Sequence, residues 1–252
     1  QAGDDDNDGV AVGTLSANGG TLQDGAGNNA NLTLNGVGST SGVLVDTTAP
    51  AVSSVGVPAS ATYIAGQDLD FTVNFDEAVT VNTGGGTPEL ALTIGSTTRQ
   101  AAYVSGSGGT ALTFRYTVQA GDDDADGVAV GALSANGGTL QDGAGNDANL
   151  TLNGVGSTSG VLVDTTAPTA ASFTRQTPSD ATTNASTVTF RAAFSEDMDP
   201  TSVQTGDFVL SGSAAGDGTI NDVTQVGGDP SSYDVEITGL ASANGTINLD
   251  LS

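Results

Sequence analysis

Carboxylates are the only abundant ionisable side chains in this chain, and so the main candidates for binding a metal or acting as acids and bases. The 252 residues include 29 Asp and Glu, 4 Lys and Arg, and no His or Cys. The chain therefore offers no imidazole base, no thiol nucleophile and none of the soft ligands that zinc sites use. Oxygen ligands in flexible loops favour Ca²⁺ over Mg²⁺. We accordingly expect Ca²⁺ as the cofactor and no enzymatic activity.

Two short acidic runs place carboxylates at alternate positions before a glycine. The sequence Gly-Asp-Asp-Asp-X-Asp-Gly occurs at 3–9 and again at 121–127. This spacing resembles the opening of an EF-hand calcium loop, but no Glu follows at the twelfth position and no flanking helices are predicted. Two interpretations are open: a calcium loop of another kind, or a solvated acidic turn between strands. The candidate ligands are Asp4, Asp6, Asp8, Asp122, Asp124 and Asp126.

Three further acidic motifs recur at fixed places and could combine into one site. They are an Asp-Gly-Ala-Gly-Asn loop, a Val-Asp-Thr-Thr-Ala-Pro linker, and a Phe-Asp-Glu or Phe-Ser-Glu motif at the end of a predicted strand. If the repeats stack end to end, the loop of one repeat and the linker would face the strand motif of the next. Carboxylate, amide and backbone oxygens are sufficient ligands for Ca²⁺. The candidate ligands are Asp24, Asn28, Asp46, Asp76, Glu77, Asp142, Asn146, Asp164, Glu196 and Asp197.

Each of these residues also has an ordinary structural interpretation. Asp24 and Asn28 suit a tight turn, and Asp46 before two threonines suits a local side-chain turn. Glu77 is the hardest to explain in that way, because both repeats keep a carboxylate two residues after the same predicted core Phe. Convergence of the motifs depends on strand polarity, which the sequence leaves open. Paired carboxylates could serve a glycosidase, but here they recur in turns, so we expect no hydrolase activity.

A long internal repeat determines how the motifs are arranged. Residues 1–50, the first copy, recur at 119–168, the second copy, with three differences and a period of 118 residues. Near-identity over such a length indicates duplication of a whole domain rather than of a solenoid turn. The linker ends in Pro, which cannot extend a strand ladder and favours an extended connection. The predicted domains are the C-terminal part of one repeat at 1–49, a complete repeat at 50–167 and the incomplete N-terminal part of a divergent repeat at 168–252.

Alternation of apolar and polar residues predicts β-strands that each bury one face. The pattern is clearest from Leu69 to Phe75 and from Leu112 to Val118, and it recurs from Val188 to Phe194. Further strands are predicted near 52–57, 90–94, 100–104, 128–133, 149–163, 208–210, 233–237 and 247–251. About seven short strands in about 110 residues, with no helical period, are typical of an immunoglobulin-like domain. We therefore expect an all-β chain of tandem immunoglobulin-like β-sandwich domains.

The formal net charge of −25 argues against several classes of partner. Nucleic acid and anionic membranes would be repelled, and no apolar run approaches the ~18 residues of a membrane span. The lack of Cys suits the cytosol, or a secreted protein that metal stabilises in place of disulfides. We favour secretion, because so many carboxylates need a divalent cation to be tolerated in a compact fold. Since the chain begins at Gln1, we expect it to be an excerpt of a longer protein.

The linker, the Asp-Gly-Ala-Gly-Asn loop and the Phe-Asp-Glu motif, at one fixed spacing, resemble the immunoglobulin-like repeats of giant bacterial adhesins. Such repeats form the extender regions of RTX-type and biofilm-associated surface proteins, and the resemblance covers essentially the whole chain. It implies spacer repeats that Ca²⁺ rigidifies at the domain junctions, with ligand binding in other domains. It also implies a secreted protein at the bacterial cell surface.

Three functions are compatible with these observations. The first is an extender that supports adhesion and biofilm formation by holding a distal binding domain away from the cell. The second is a subunit of a self-assembling extracellular filament or surface layer, in which identical chains complete each other's partial domains. The third is a carbohydrate-binding module. The expected partners are neighbouring repeats of the same chain and, in the filament, identical chains, with no nucleic acid and no membrane insertion.

Overall fold

The computed structural model describes residues 3–252, which form two compact units that divide between Thr165 and Thr166. Nearly all the regular structure is β, which confirms the predicted all-β class. Helix in the described part of the chain is limited to two 3₁₀ turns, Thr205–Asp207 and Leu240–Ser242. No helix among residues 3–252 is long and apolar enough to cross a membrane.

The described part of the first unit, from residue 3 onward, contains nine strands, all of which lie after residue 51. They are β1 (Val52–Gly56), β2 (Ala61–Tyr63), β3 (Asp68–Asn82), β4 (Glu89–Ile94), β5 (Thr97–Ser105), β6 (Gly109–Thr117), β7 (Ala129–Ser134), β8 (Thr139–Gln141) and β9 (Val161–Val163). Six of them form an antiparallel sheet in the order β1-β3-β6-β5-β4-β7, and β8 joins this sheet by pairing with β3. The remaining strands, β2 and β9, form a separate parallel pair.

Strand β3 is 15 residues long and pairs with different partners along its length. It therefore connects the β1–β6 part of the sheet to β8. Its first half pairs with β1 and β6, whereas Thr80 to Asn82 pair with β8. The β3–β6 register shifts between Asn74 and Val79, where the strand changes partner. Glu77 lies within this irregular stretch, close to the loop that follows β8.

The core of the first unit confirms the predicted alternation. Leu69, Phe71 and Val73 are fully buried, and Phe75 is buried as well. Burial of each such side chain stabilises the fold by roughly 1.5–3 kcal/mol relative to exposure. Valines of β9 complete this core, since Val161 and Val163 pack in the same cluster. The second copy therefore supplies part of the core for the residues that precede it.

Sequence periodicity missed two strands of the first unit and predicted a third over a longer range than it occupies. Strands β2 and β8 have three residues each, which is too short for an alternation pattern to be recognised. The strand expected within residues 149–163 is confined to Val161–Val163. The first unit thus has nine strands after residue 51 rather than about seven.

The second unit repeats the central strand order of the first with fewer strands. Its strands are β10 (Ala170–Thr177), β11 (Val188–Phe194), β12 (Phe208–Ser211), β13 (Thr219–Val226), β14 (Asp229–Thr238) and β15 (Asn248–Leu251). The order β10-β11-β14-β13 parallels β1-β3-β6-β5, and β12 pairs with β15 as β4 pairs with β7. Strands β10 and β13 escaped the sequence prediction. The core is built around Tyr233, Val235 and Ile237.

The first copy is almost without regular strands. Among its described residues, 3–50, β-bridges are limited to two, between Asp6 and Val45 and between Gln23 and Asn29, with single backbone hydrogen bonds beside them such as that from the Val10 N–H to the Val43 carbonyl. Large apolar side chains are exposed here, including Leu15, Leu22 and Val43. The same sequence forms β7, β8 and β9 in the second copy.

Candidate metal centre

Three carboxylates from distant parts of the sequence meet within the first unit. Asp46 lies in the linker, Glu77 on β3 and Asp142 in the loop after β8. Each residue offers one carboxylate oxygen, and the three oxygens lie within 4.8 Å of one another. Within residues 3–252 this is the one group of three or more such ligands. The linker, the strand motif and the loop after β8 therefore each supply one carboxylate to the same place.

Glu77 is placed by the strand that carries it. Phe75, two residues earlier, is anchored in the core with 4% of its surface exposed. Between them, the Oδ1 of Asp76 accepts the N–H of Ala51 at 2.7 Å, and the Asp76 N–H donates to the Ala51 carbonyl at 3.0 Å. These bonds tie the end of the linker to β3. Asp76, also a predicted ligand, lies outside the group of three.

The loop that carries Asp142 is closed by hydrogen bonds to the Asp142 carboxylate. Its Oδ1 accepts the N–H groups of Ala144, Gly145 and Asn146 at 2.7–2.8 Å. The side-chain amide of Asn146 donates to Asp142 Oδ2 at 2.7 Å and to the Asp46 carbonyl at 3.2 Å. Asn146, also a predicted ligand, thus joins the loop to the linker through its amide N–H. Of the two carboxylate oxygens, Oδ1 thus accepts three bonds and Oδ2 one, so Oδ2 is the oxygen that keeps an acceptor position for a cation.

The electrostatics of the group are those of crowded negative charge. Burial, followed by the charges of Asp46 and Asp142, raises the pKa of the Glu77 carboxyl above its ordinary value, and Asp76 and Asp5 add to this effect. The hydrogen bond from the Asn146 side chain is the main reason that the pKa of Asp142 is lowered. A divalent cation at this point would remove the repulsion and favour ionised Glu77.

One part of the predicted assembly is wrong: the loop that joins the linker belongs to the repeat of Glu77, not to the preceding one. The physical reason is strand polarity, because the end of β3 pairs with β8, and β8 leads directly into the Asp142 loop. Asp24 and Asn28, the counterparts in the first copy, form a loop of their own. Asp24 Oδ1 accepts the N–H of Asn28 at 2.9 Å, and both residues are exposed and outside the group.

The second set of linker and strand-motif residues is divided between the two units. Asp164, in the first unit, donates its N–H to the Tyr63 carbonyl at 2.9 Å and is exposed. In the second unit, Asp197 is exposed and Glu196 is half-buried. The Oε1 of Glu196 is buried without a hydrogen-bond partner among the described residues. None of the three belongs to a carboxylate group in the described chain.

Hydrogen bonds from protein donors hold the acidic run of the second copy in the fold, and its carboxylates form no group of three candidate ligands among the described residues. Asp122 is buried and accepts bonds from Arg99, from the Tyr116 hydroxyl and from the Gln119 N–H. Burial opposes its ionisation, but these donors outweigh it and lower the pKa of Asp122. Burial, followed by the bond to Asp122, raises the pKa of Tyr116 to about 12.

Asp124 is the second buried carboxylate of this run. Its Oδ2 accepts the N–H of Gly95 at 2.7 Å, and its Oδ1 accepts the N–H of Gly127 at 2.7 Å. Asp126 is exposed. In the first copy, Asp6 Oδ1 accepts the N–H groups of Asp8 and Gly9, while Asp4 and Asp8 are exposed. Asp4, Asp6, Asp8, Asp122, Asp124 and Asp126 thus form no group of three candidate ligands.

Sequence reasoning missed the residue that fixes the linker threonines. Asp5 Oδ1 accepts the N–H of Thr47 at 2.8 Å, and its Oδ2 accepts the Thr48 hydroxyl at 3.0 Å. Asp123 accepts the N–H of Thr165 at 2.8 Å in the same way. The signal was present, because the middle Asp of each acidic run precedes its linker Thr by 42 residues in both copies.

No family model matches the chain, and a comparison with curated proteins also gives no match.

Proposed function

We propose that this chain consists of tandem immunoglobulin-like sandwich repeats that act as a calcium-stabilised extender of a long bacterial cell-surface adhesin. The observation that carries the proposal is the convergence of Asp46, Glu77 and Asp142. This group lies where the linker enters the next repeat. A cation bound there would act on the geometry of a connection between repeats, which is what a spacer requires.

The geometry of the group is compatible with Ca²⁺. Two oxygens bound to one Ca²⁺ at about 2.3–2.6 Å cannot be more than about 5 Å apart. The three carboxylate oxygens lie within 4.8 Å of one another, so a single ion can contact all three. Ca²⁺ also accepts backbone carbonyls and water in irregular geometry, which would complete its shell of about six to eight oxygens.

The mechanical consequence follows from where the three ligands are attached. Asp46 belongs to the linker, whereas Glu77 and Asp142 belong to β3 and the loop after β8, both anchored by the core. Without a cation, the like charges repel and the linker is pushed away from the repeat. With a cation, the linker is held at two points of the rigid body that follows it. Binding to the ordered form alone would also stabilise that form by mass action.

The other parts of the proposal, namely the architecture, the location and the partners, are supported by the sheet topology and the net charge of the chain. The antiparallel order of the larger sheet and the separate β2–β9 pair support a sandwich architecture. The net charge of −25 favours an environment with divalent cations and disfavours nucleic acid and anionic membranes as partners. We propose secretion to the cell surface, neighbouring repeats as the principal partners, and no catalytic role.

Small-angle X-ray scattering of the full chain tests the mechanical claim. In millimolar Ca²⁺ we expect a larger maximum dimension and a narrower distribution of sizes than in chelator. The substitutions Glu77→Ala and Asp46→Ala should give the chelated profile even in Ca²⁺, because each removes a ligand outside the core. Asp24→Ala, in the equivalent loop outside the group, is the matched control and should respond to Ca²⁺ as the natural chain does. Identical profiles with and without Ca²⁺ would show that the linker is stiff by itself.

A further inference from the structure

The middle Asp of each acidic run contacts the linker that ends its own copy. Asp5 accepts the N–H of Thr47 at 2.8 Å, and Asp123 accepts the N–H of Thr165 at 2.8 Å. Both carboxylates are exposed, whereas the two Asp residues that flank Asp123 are buried. Burial therefore does not account for these contacts with the linker.

Side chains continue the backbone pairing of the first copy into its linker. Asp6 and Val45 exchange both backbone hydrogen bonds, at 2.7 and 3.1 Å. Two residues further on, the N–H of Thr47 donates to Asp5 Oδ1, and the Thr47 hydroxyl accepts the N–H of Gly3 at 2.9 Å. Thr47 is therefore bonded to the acidic run through both its backbone and its side chain.

The same arrangement occurs in both copies, although their surroundings differ. In the second copy the Thr165 hydroxyl accepts the N–H of Gly121 at 2.8 Å, as the Thr47 hydroxyl accepts that of Gly3. The second copy contains β7, β8 and β9, whereas the described residues of the first copy contain no strand. The contact of the acidic run with the linker therefore needs no partner strand, and its residues all belong to one copy.

Thr48 joins Asp5 to a residue of the carboxylate group. The Thr48 hydroxyl donates to Asp5 Oδ2 at 3.0 Å, and its N–H donates to Asp46 Oδ1 at 3.0 Å. The position of Thr48 therefore restricts the orientation of the Asp46 carboxylate. Asp46 is the member of the group that the linker supplies, so Asp5 acts on the group through the linker.

We propose that Asp5 and Asp123 are positioning residues that hold linker threonines on the repeat that precedes each linker. At the first linker, this fixes the direction in which Asp46 presents its carboxylate to Glu77 and Asp142. A ligand that is already oriented loses less freedom on binding, so Asp5 raises the affinity of the group for a cation. Holding the threonines needs no cation, whereas the effect on affinity rests on the proposed function.

Asp5 acts on a cation through its charge as well as through its hydrogen bonds. The bond from the Thr47 N–H is the main reason that the pKa of Asp5 is lowered, so this side chain is ionised at neutral pH. Burial raises the pKa of Glu77 most, and Asp5 is one of four carboxylates whose charges add to that effect. Variants that remove the charge alone, or a hydrogen bond alone, distinguish the two contributions.

Amide hydrogen exchange of the full chain in chelator tests the hydrogen bonds without a cation. We expect Asp5→Ala to speed exchange of the Thr47 amide at least about fivefold and to leave the Thr165 amide unchanged. Asp123→Ala should do the reverse, so each variant is the control for the other. The Val45 amide, which is bonded within the first copy, should keep its rate in both variants. Unchanged exchange of Thr47 in Asp5→Ala would overturn the proposal, and so would equal acceleration of Thr47 and Val45, which would show loss of the bridge instead.

Calorimetric Ca²⁺ titration of the full chain tests the effect on affinity. Asp5→Ala should weaken binding at least about fivefold. Thr48→Val, which keeps every charge but removes the hydroxyl donor, should weaken it as well. Asp5→Asn keeps a side-chain oxygen for the Thr47 N–H and should recover most of the affinity. Asp8→Ala is the matched control, because it removes the same charge from an exposed position of the same run, and it should stay within about twofold of the natural chain.

The outcomes distinguish this inference from the proposed function. If the natural chain binds Ca²⁺ and Asp5→Ala binds it equally well, the inference is overturned and the calcium site is not. Binding by Asp5→Asn that is as weak as binding by Asp5→Ala would show that charge acts rather than position, and would also overturn the inference. If the natural chain binds no Ca²⁺, the proposed function fails, while exchange of the Thr47 amide in chelator still decides whether Asp5 holds the linker.

Discussion

The two copies of the 50-residue segment have nearly the same sequence and quite different structures. What they share is formed within each copy. Asp24 and Asp142 close the same loop on Asn28 and Asn146, and the bridge of Asp6 with Val45 matches that of Asp124 with Val163. The loops need only nearby donors and acceptors, and both residues of each bridge belong to the same copy, so each copy forms these features alone.

The two copies differ in every feature that needs a partner strand. In the second copy, β7 pairs with β4, β8 with β3, and β9 with β2. The described residues of the first copy contain none of these strands. Leu140 is 3% exposed, but its counterpart Leu22 is 49% exposed. Strand formation here is a property of the pairing and packing environment, whereas the turns are a property of the sequence.

Truncating the equivalent leucine in each copy should give the largest difference in stability between the two copies. We expect Leu140→Ala to lower the free energy of unfolding of the first unit by about 2–4 kcal/mol, because it leaves a cavity in the core. Leu22→Ala should change it by less than about 0.5 kcal/mol, as is usual for exposed positions. Hydrogen exchange of the β3 and β6 amides in a urea series measures both values. Equal effects of the two substitutions would mean that the first copy is packed as well as the second.

Removing one buried charge should produce a smaller difference in stability between the two copies. We expect Asp122→Asn to destabilise the first unit by about 2 kcal/mol, because Arg99 and Tyr116 lose their charged partner. Asp4→Asn makes the same change in the first copy, where the residue is exposed, and should have a much weaker effect. Thermal unfolding monitored by tyrosine fluorescence compares the two. A larger effect at Asp4 would contradict the assignment of Asp122 to the core.

The pH dependence of the stability of the first unit should also depend on Asp122. Because the pKa of Asp122 is lower in the folded state, its contribution is fully present above its unfolded pKa of about 3.9 and is lost as pH falls through the folded value. The natural chain should therefore lose stability in acid more steeply than Asp122→Asn does. Equal slopes below about pH 4 would show that other carboxylates dominate the acid transition.

The comparison also explains what the sequence could predict. Alternation identified β3, β6 and β11, because long strands that bury one face carry a clear period. It could not identify the three-residue strands β2 and β8, although the pairing of β8 with β3 decides which loop meets Glu77. The ligand types were therefore predictable, but the choice between Asp24 and Asp142 was not. That choice depends on strand polarity, and two identical loops carry no information about it.

Those two identical loops allow a direct test of the central claim, that a cation joins the linker to the next repeat at Asp46, Glu77 and Asp142. The measurement is a calorimetric Ca²⁺ titration of the full chain with either Asp142→Asn or Asp24→Asn. Both substitutions alter the same local hydrogen bonds, but only Asp142 belongs to the group of three. We predict that Asp142→Asn removes one binding site and that Asp24→Asn removes none. A natural chain that binds no Ca²⁺, or equal titrations for the two variants, would contradict the account.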